Sequence, residues 1–553
     1  MKSFFQKHTG LCVFILAAFT FLPWLGLSLF NTKGEPREAI VAVTMLASGD
    51  WILPVSFGAD IPYKPPFFAW CIAVLSTIFG GEVTEYTSRL PSAIAVIAMV
   101  MALYGFVRKG EPQRRFLAPC AAIMTIGFVE VWRAGMACRV DMVLTAAMVG
   151  AMLSLFRYMS RGAKGLPLIA IPLMSIGVLT KGPVGMVLPL MCAWIYYILA
   201  NGFRKWWHIT WRLFIAGLAS LILPALWYWK AAMQGGDEFL DLIIEENVNR
   251  MTGSMGYGSH ENGVWYNFMT MAVGLLPVTV GCILALWAVK WRRPSVKEMK
   301  SDLQRLLHTH PSRVYAGVCA ITVFLFYCIP TSKRSVYLLP VYPMAAYLIT
   351  VWLDSLISST RRGKLYAGVY MRIILFASIA IGIAMAVSPI LSPGIIVPIC
   401  GIAVIAASII VLMKLRHRDA HLKAIASVVA TPLILSAVAG GILPIILNQK
   451  SDIDIARRIE QLNINNEPVY EYIDDPMLRY YTANFYLDDR IRLYSPQANE
   501  GWLIVCEEDM ESWLKESEGH HSTQLVWRQP KKSCDRNRPV MILRLTPVRE
   551  ENL

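Results

Sequence analysis

Residues 67–80 read FFAWCIAVLSTIFG, an apolar run without a charge but only 14 residues long. At 1.5 Å per residue such a helix falls short of the ~30 Å hydrocarbon core, so the run reads as an interfacial or re-entrant helix and not a span. That reading decides the topology, because every later segment changes sides if this one crosses. Working outward, thirteen other apolar runs qualify as spanning helices: Leu11–Phe30, Leu90–Val107, Phe116–Trp132, Val140–Phe156, Leu166–Thr180, Gly182–Ala200, Leu213–Trp229, Val264–Val289, Val314–Cys328, Val336–Leu353, Ile373–Ile390, Ile395–Met413 and Ala424–Leu447.

Charge placement separates thirteen spans from fourteen, since short cytoplasmic loops collect Lys and Arg. With thirteen and a cytoplasmic N-terminus, 27 of the 52 basic residues fall on the cytoplasmic side, 14 follow Leu447, and 11 lie in or beside outer loops. Counting residues 67–80 as a span would move every later basic cluster outside. The net charge of +14 is then mostly a topological signal, and nucleic acid drops out as a partner. The remaining composition agrees: of 553 residues 56% are hydrophobic and 16% charged, with mean hydropathy +0.48, which excludes a soluble enzyme and a disordered chain. The first run carries no cleavage site of the A-x-A type and reads as a retained span.

The same parity places residues 448–553 outside the cytoplasm, as a small α/β domain following a membrane domain of residues 1–447. Nineteen of the 38 acidic residues lie in this last fifth. Short alternations replace the long runs: Pro468–Ile473, Arg490–Tyr494, Gly501–Cys506, Gln524–Trp527 and Pro539–Leu545 read as strands, and Ile453–Leu462, Pro476–Phe485 and Asp509–Glu516 as short helices. The 11 cysteines show no metal-ligand spacing, and whether Cys506 and Cys534 pair is open.

Two external loops are long, residues 31–89 and 230–263, and loops of that size on one side of a bundle are commonly functional. The first opens Gly34-Glu35-Pro36-Arg37-Glu38 and continues to Tyr63-Lys64-Pro65-Pro66 and Ser88-Arg89-Leu90-Pro91. Pro36 behind Glu35 predicts a helix start, where Glu35 serves either as an acid at the positive helix end or as a reactive carboxylate. Lys64 before two prolines has two readings as well, a contact with lipid headgroups or a ligand for an anionic substrate.

GEPREAIVAVTMLASGDWILPVSFGADIPYKPPFFAWCIAVLSTIFG, with SRLPSAIAV after it, resembles the first periplasmic loop of the bacterial aminoarabinose transferases of lipid A. These belong to the protein-mannosyltransferase-like group of polyprenyl-phosphate-sugar glycosyltransferases, with the GT-C fold. Further matches follow in order: Arg139-Val140-Asp141, Leu179-Thr180-Lys181-Gly182-Pro183, His260 ahead of Trp265-Tyr266, and Ser332-Lys333 before Tyr337-Leu338-Leu339-Pro340. The resemblance spans residues 1 to about 350. It implies a mainly α, polytopic GT-C bundle of about thirteen spans, two juxtamembrane helices in the first external loop, and an α/β domain at the C-terminus on the periplasmic side of a bacterial inner membrane. It implies a donor sugar on undecaprenyl phosphate and lipid A or another glycolipid or protein as acceptor.

Such chemistry needs a base near the acceptor, cations for the departing phosphate, and a cavity open to the bilayer. Glu35 and Asp141 are the expected carboxylates, and Lys64 the expected ligand of the donor phosphate. Arg37, Arg139, Lys181, Lys333 and Arg334 are expected to add positive charge, while Tyr63 and His260 are assigned to the acceptor or loop. Two departures stand out. Where the family pattern carries Asp-Glu after the first span, this chain has Gly34-Glu35. Tyr63 replaces a Glu that pairs with a loop His as a zinc site in the family, so no cofactor is assigned and a divalent metal is left open. Residues 237–263 read as a lid or a solvated connector. The expected function is an inverting transfer of a hexosyl or pentosyl group, with 4-amino-4-deoxy-L-arabinose one candidate. A protein O-mannosyltransferase-like enzyme is the alternative. A lipid-linked sugar flippase is disfavoured because the carboxylates gather at external helix ends and not at the bilayer midplane.

Overall fold

A computed structural model describes residues 8–62, 64–244, 262–289, 291, 295–387, 395–463, 465–475, 478–518 and 520–548. Tyr63, His260 and the loop residues 245–261, lid or connector, lie outside the described residues. Among those described, nine helices are long and apolar enough to cross a membrane, or eleven if each of two sharply bent pairs counts as one span. The bent pairs are Leu117–Ile126 with Val129–Gly135, at 66°, and Trp265–Gly274 with Val278–Leu286, at 103°. Two of the thirteen expected spans correspond to shorter apolar helices, Thr9–Trp24 and Ala170–Lys181. The 12 residues of the second cover about 18 Å, less than a hydrocarbon core. It stops at Gly182, whose φ of +95° suits a residue without a β-carbon, and Pro183 then caps the next helix. Thirteen apolar segments are therefore present in order, but not as thirteen full-length helices.

The first external loop forms two helices, Pro36–Ser48 and Phe67–Ile78, which pack on each other beneath the Glu85–Gly110 helix. Phe68, Ile72 and Ala73 are buried against Ala39, Ala42 and Met45, while Val74 and Ile78 are exposed. The 12-residue helix therefore packs one apolar face on the protein and leaves another apolar face open, with a length too short to span a hydrocarbon core. Between the helices, Asp50 accepts from the N–H groups of Ile52 (2.9 Å) and Leu53 (3.2 Å), and the Trp227 indole donates to the Ile52 carbonyl (3.1 Å). The second long loop departs from expectation: residues 230–244 continue the helix Trp206–Ile244, with a break at Gly236.

After Asn448 a five-stranded mixed sheet forms from β1 (Val469–Tyr472), β2 (Ile491–Leu493), β3 (Gly501–Cys506), β4 (His521–Arg528) and β5 (Val540–Pro547), in the order β2-β1-β3-β5-β4. β1 pairs parallel with β2 and β3, and β5 lies antiparallel between β3 and β4. Gly501–Cys506 and Ile453–Leu462 form as the sequence predicts, and the other elements shift by a few residues. Cys506 and Cys534 are both free thiols. This region seats on the first external loop. Phe57 N–H donates to Asp489 (2.8 Å), Phe30 N–H donates to the Tyr486 hydroxyl (3.0 Å), and Ile40 and Phe57 enter one buried cluster with Ile455, Tyr481 and Trp502.

Candidate active site in the first external loop

A narrow cleft of about 40 Å³ opens between the two loop helices. Its wall carries Arg37, Glu38, Asp60, Lys64, Pro65 and Pro66, with Trp227 from the membrane bundle and Tyr481 from the C-terminal region closing it. The Pro36–Ser48 helix begins at Pro36, as the sequence predicts, and that start turns Arg37 and Glu38 toward the cleft. Pro65 and Pro66 precede the second helix and hold Lys64 at its mouth, where the ammonium pairs with Glu38. Arg37 Nη2 lies 3.7 Å from the same carboxylate. Burial pushes the Lys64 ammonium down to about 8, and Arg37 adds to this against the opposing pull of Glu38 and Asp141.

Glu35 faces the other way. Its carboxylate receives a fork from Arg89, Nε to Oε1 at 2.9 Å and Nη2 to Oε2 at 3.1 Å, and the Cys138 N–H adds a third bond at 2.9 Å. Arg89 is 4% exposed and also donates to the carbonyls of Leu25 (2.7 Å) and Ser28 (2.5 Å). Burial works to raise the Glu35 carboxyl, but the Arg89 guanidinium, helped by the Cys138 N–H, outweighs it and holds the group below the ordinary carboxylate range. Glu35 thus ties the first loop to the Glu85–Gly110 helix and makes no side-chain cap of its own helix.

The space beside Gly34 is taken by Arg139. A β-carbon on Gly34 would stand 2.0 Å from Arg139 Nη2, so a side chain at that position requires the guanidinium to move. Asp141, two residues on, pairs with Lys181 at the end of the Ala170–Lys181 helix, and the Lys181 ammonium sits 4.8 Å from the Tyr337 ring centre. Lys333 is buried, with its ammonium donating to the backbone carbonyls of Asn262 (3.0 Å) and Pro330. Arg334 Nε is buried and finds no acceptor among the described residues.

Of the residues expected from sequence, Arg37 and Lys64 share the cleft wall, Arg139 covers Gly34, Asp141 and Lys181 form a neighbouring pair, and Glu35 is turned into the protein. The sequence reading passed over Glu38 and Arg89. Each had a signal: Glu38 lies one helical turn beyond Glu35, and Arg89 is a charge at the start of an apolar run, where a partner is required. Elsewhere, Asp452, Cys534 and Asp535 bring ligand atoms within 4.8 Å of one another, the group among the described residues that could hold a metal. Asp452 Oδ2, however, already accepts from the Ser533 hydroxyl (2.6 Å) and the Cys534 N–H (3.0 Å), fastening a turn.

The family described as dolichyl-phosphate-mannose-protein mannosyltransferase matches residues 63–229, which carry Lys64, Arg89, Arg139, Asp141 and Lys181. The chain is 25% identical over 330 residues to an uncharacterized protein of Aquifex aeolicus, covering 59% of this chain and 60% of that one. It is 24% identical over 247 residues to the undecaprenyl phosphate-alpha-4-amino-4-deoxy-L-arabinose arabinosyl transferase of Pseudomonas aeruginosa, covering 44% of each. The chain thus aligns with less than two thirds of the length of either relative. In three dimensions it is similar to ArnT from Cupriavidus metallidurans bound to undecaprenyl phosphate, with a TM-score of 0.71 and 18% identity, over 97% of this chain and 98% of that one. In sequence over roughly half its length, and in its GT-C fold over almost all of it, this multi-pass membrane chain resembles the aminoarabinose transferases of the protein-mannosyltransferase-like group.

Proposed function

We propose that the protein is a glycosyltransferase of the bacterial inner membrane that moves a sugar from a polyprenyl phosphate to an acceptor O–H on the periplasmic side, where the C-terminal region also lies. The observation that carries this reading is the cleft itself, in which Lys64 and Arg37 converge beside a carboxylate at the level of the two interfacial helices. A phosphate joined to a lipid is confined to that level of the bilayer. Cations fixed there favour the transition state more than the ground state, because negative charge builds on the leaving phosphate as its bond to the sugar breaks. Lys64 is the donor-phosphate ligand in this reading, and Arg37 adds a fork that suits phosphate oxygens. Arg139, Lys181, Lys333 and Arg334 contribute positive charge around it, with Asp141 orienting Lys181. Glu35 serves by fixing the loop through Arg89.

Undecaprenyl phosphate as carrier and 4-amino-4-deoxy-L-arabinose as sugar are supported by the named activity of the Pseudomonas relative and by the lipid in the Cupriavidus structure, and lipid A as acceptor rests on the resemblance of the first-loop motifs to the aminoarabinose transferases of lipid A. Direct attack by the acceptor on the sugar carbon inverts that centre. The test is product analysis of purified protein in liposomes with undecaprenyl-phosphate aminoarabinose and lipid A, for wild type and Lys64→Ala. Sugar on lipid A with wild type alone is the expected result. Donor consumed with lipid A unmodified keeps the reaction class and moves the acceptor to another glycolipid or a protein hydroxyl. Donor that only changes leaflet ends the transferase reading.

A further inference from the structure

Building on that reading, we propose that Glu38 is the group that takes the acceptor proton, and that its ion pair with Lys64 holds it in reserve until the donor phosphate loads that lysine. The geometry leaves few other carboxylates. Position 34 has no side chain, and Arg139 fills the space beside it. Both oxygens of Glu35 are engaged by Arg89, with Cys138 on one of them, and the group is turned out of the cleft. Asp141 is joined to Lys181. Among the described residues lining the cleft, the carboxylates are Glu38 and Asp60, and Asp60 is engaged from the far wall by Arg479 at 3.4 Å. Glu38 is the one that shares the ammonium expected to hold the phosphate.

That shared ammonium couples the two halves of the reaction. The acceptor O–H attacks the sugar carbon; a C–O bond to the acceptor forms, and the C–O bond to phosphate breaks with its electron pair staying on phosphate. The phosphate goes from a singly charged diester to a doubly charged monoester, drawing Lys64 toward itself. Glu38 thereby loses its closer ion-pair partner, while Arg37, 3.7 Å away, is drawn to the same phosphate; as the acceptor proton leaves, the Glu38 carboxylate oxygen receives it. The proton then passes to solvent through the open cleft. Before donor arrives, the same pair keeps the carboxylate bound and unreactive toward water.

The test compares wild type, Glu38→Gln and Glu38→Asp in liposomes, reading sugar transfer and, separately, binding of undecaprenyl phosphate alone. Glu38→Gln is expected to lower kcat by about 100-fold or more, the usual worth of a general base. It should bind undecaprenyl phosphate as tightly as wild type or more tightly, because the carboxylate no longer competes for Lys64. Glu38→Asp should recover part of kcat. Transfer by Glu38→Gln within threefold of wild type overturns the proposal. So does loss of lipid binding together with transfer, the mark of a merely structural residue. A wild type that only moves donor between leaflets overturns the transferase reading and this inference with it, whereas an active wild type with an equally active Glu38→Gln overturns this inference alone.

Discussion

The early spans and the late spans of this bundle are built to different rules. In the Val140–Ser160 helix 72% of the most apolar window is buried within the protein, while in Ile396–Leu415 the figure is 11%. The early helix starts beside buried charges, Asp141 with Lys181 and Glu35 with Arg89. The late one runs ILE-rich and open to lipid, with Ile399 and Ile402 more than half exposed. Within it the buried Ser408 hydroxyl lies in hydrogen-bond reach of the Ser378 hydroxyl (2.9 Å) and the Val404 carbonyl (2.8 Å). The difference teaches where chemistry can be placed. Charged groups survive near hydrocarbon only where neighbouring helices supply partners, so a reactive cleft requires the densely packed half. Helices facing lipid gain little from one another by hydrophobic burial, and the Ile396–Leu415 helix meets the Arg361–Ala386 helix instead through Gly382 and Gly401, where the backbones approach so closely that a β-carbon on either glycine would clash.

The sharpest way to break this comparison is Lys64→Ala. It should abolish binding of undecaprenyl phosphate and reduce sugar transfer by at least about 100-fold, since a phosphate site without its ammonium loses its transition-state partner. Normal transfer by this variant would move the chemistry away from the first loop. Next in size is Arg89→Ala, which leaves Glu35 buried without a counter-charge. It should cost about 3–5 kcal/mol of stability, read as a lowered unfolding temperature in detergent, and an unchanged temperature would mean that Glu35 has another partner in solution.

A pH titration of undecaprenyl phosphate binding sharpens the electrostatic side. Lys64 is held down to about 8, so the free protein carries the ammonium below that pH and loses it above. Affinity should therefore fall as pH rises through about 8, by up to roughly tenfold per unit, whereas Lys64→Arg should remove that decline. A flat profile up to pH 10 would show that the ammonium is not depressed. The smallest effect is expected in the late half. Ile399 is 57% exposed, so Ile399→Ala should change stability by no more than about 0.5 kcal/mol, and a larger loss would reveal that another protein surface, not lipid, covers this face.

Much of the molecule was legible from particular residues. The 14-residue length of residues 67–80, set against the basic clusters after it, identified an interfacial element that the structure shows as the Phe67–Ile78 helix. Pro36 announced the helix it begins, and a short continuous apolar run marked β3 to the residue. What misled was length. Apolar runs at residues 11–30 and 166–180 read as spans, but the first gives way at Leu22-Pro23 to a single 3-10 turn, and the second becomes α-helical only from Ala170, after Pro167. The second external loop reads in sequence as a lid or a solvated connector, although helix continues across the break at Gly236 as far as Ile244.

The sequence by itself determined a membrane bundle, its interfacial loop helices, a small α/β region after Asn448, and a set of charges at one end, because each follows from hydropathy, periodicity and local turn chemistry. Only the tertiary structure decided which charges meet. Glu35 and Glu38 are three residues apart on one helix start, yet one is locked to Arg89, 54 residues away, and the other stands in the cleft with Lys64. No local spacing encodes that division. It is set by how the Pro36–Ser48 helix is rotated against the Glu85–Gly110 helix, and by Arg139 occupying the space that Gly34 leaves, so the roles of neighbouring carboxylates are fixed by packing between distant segments.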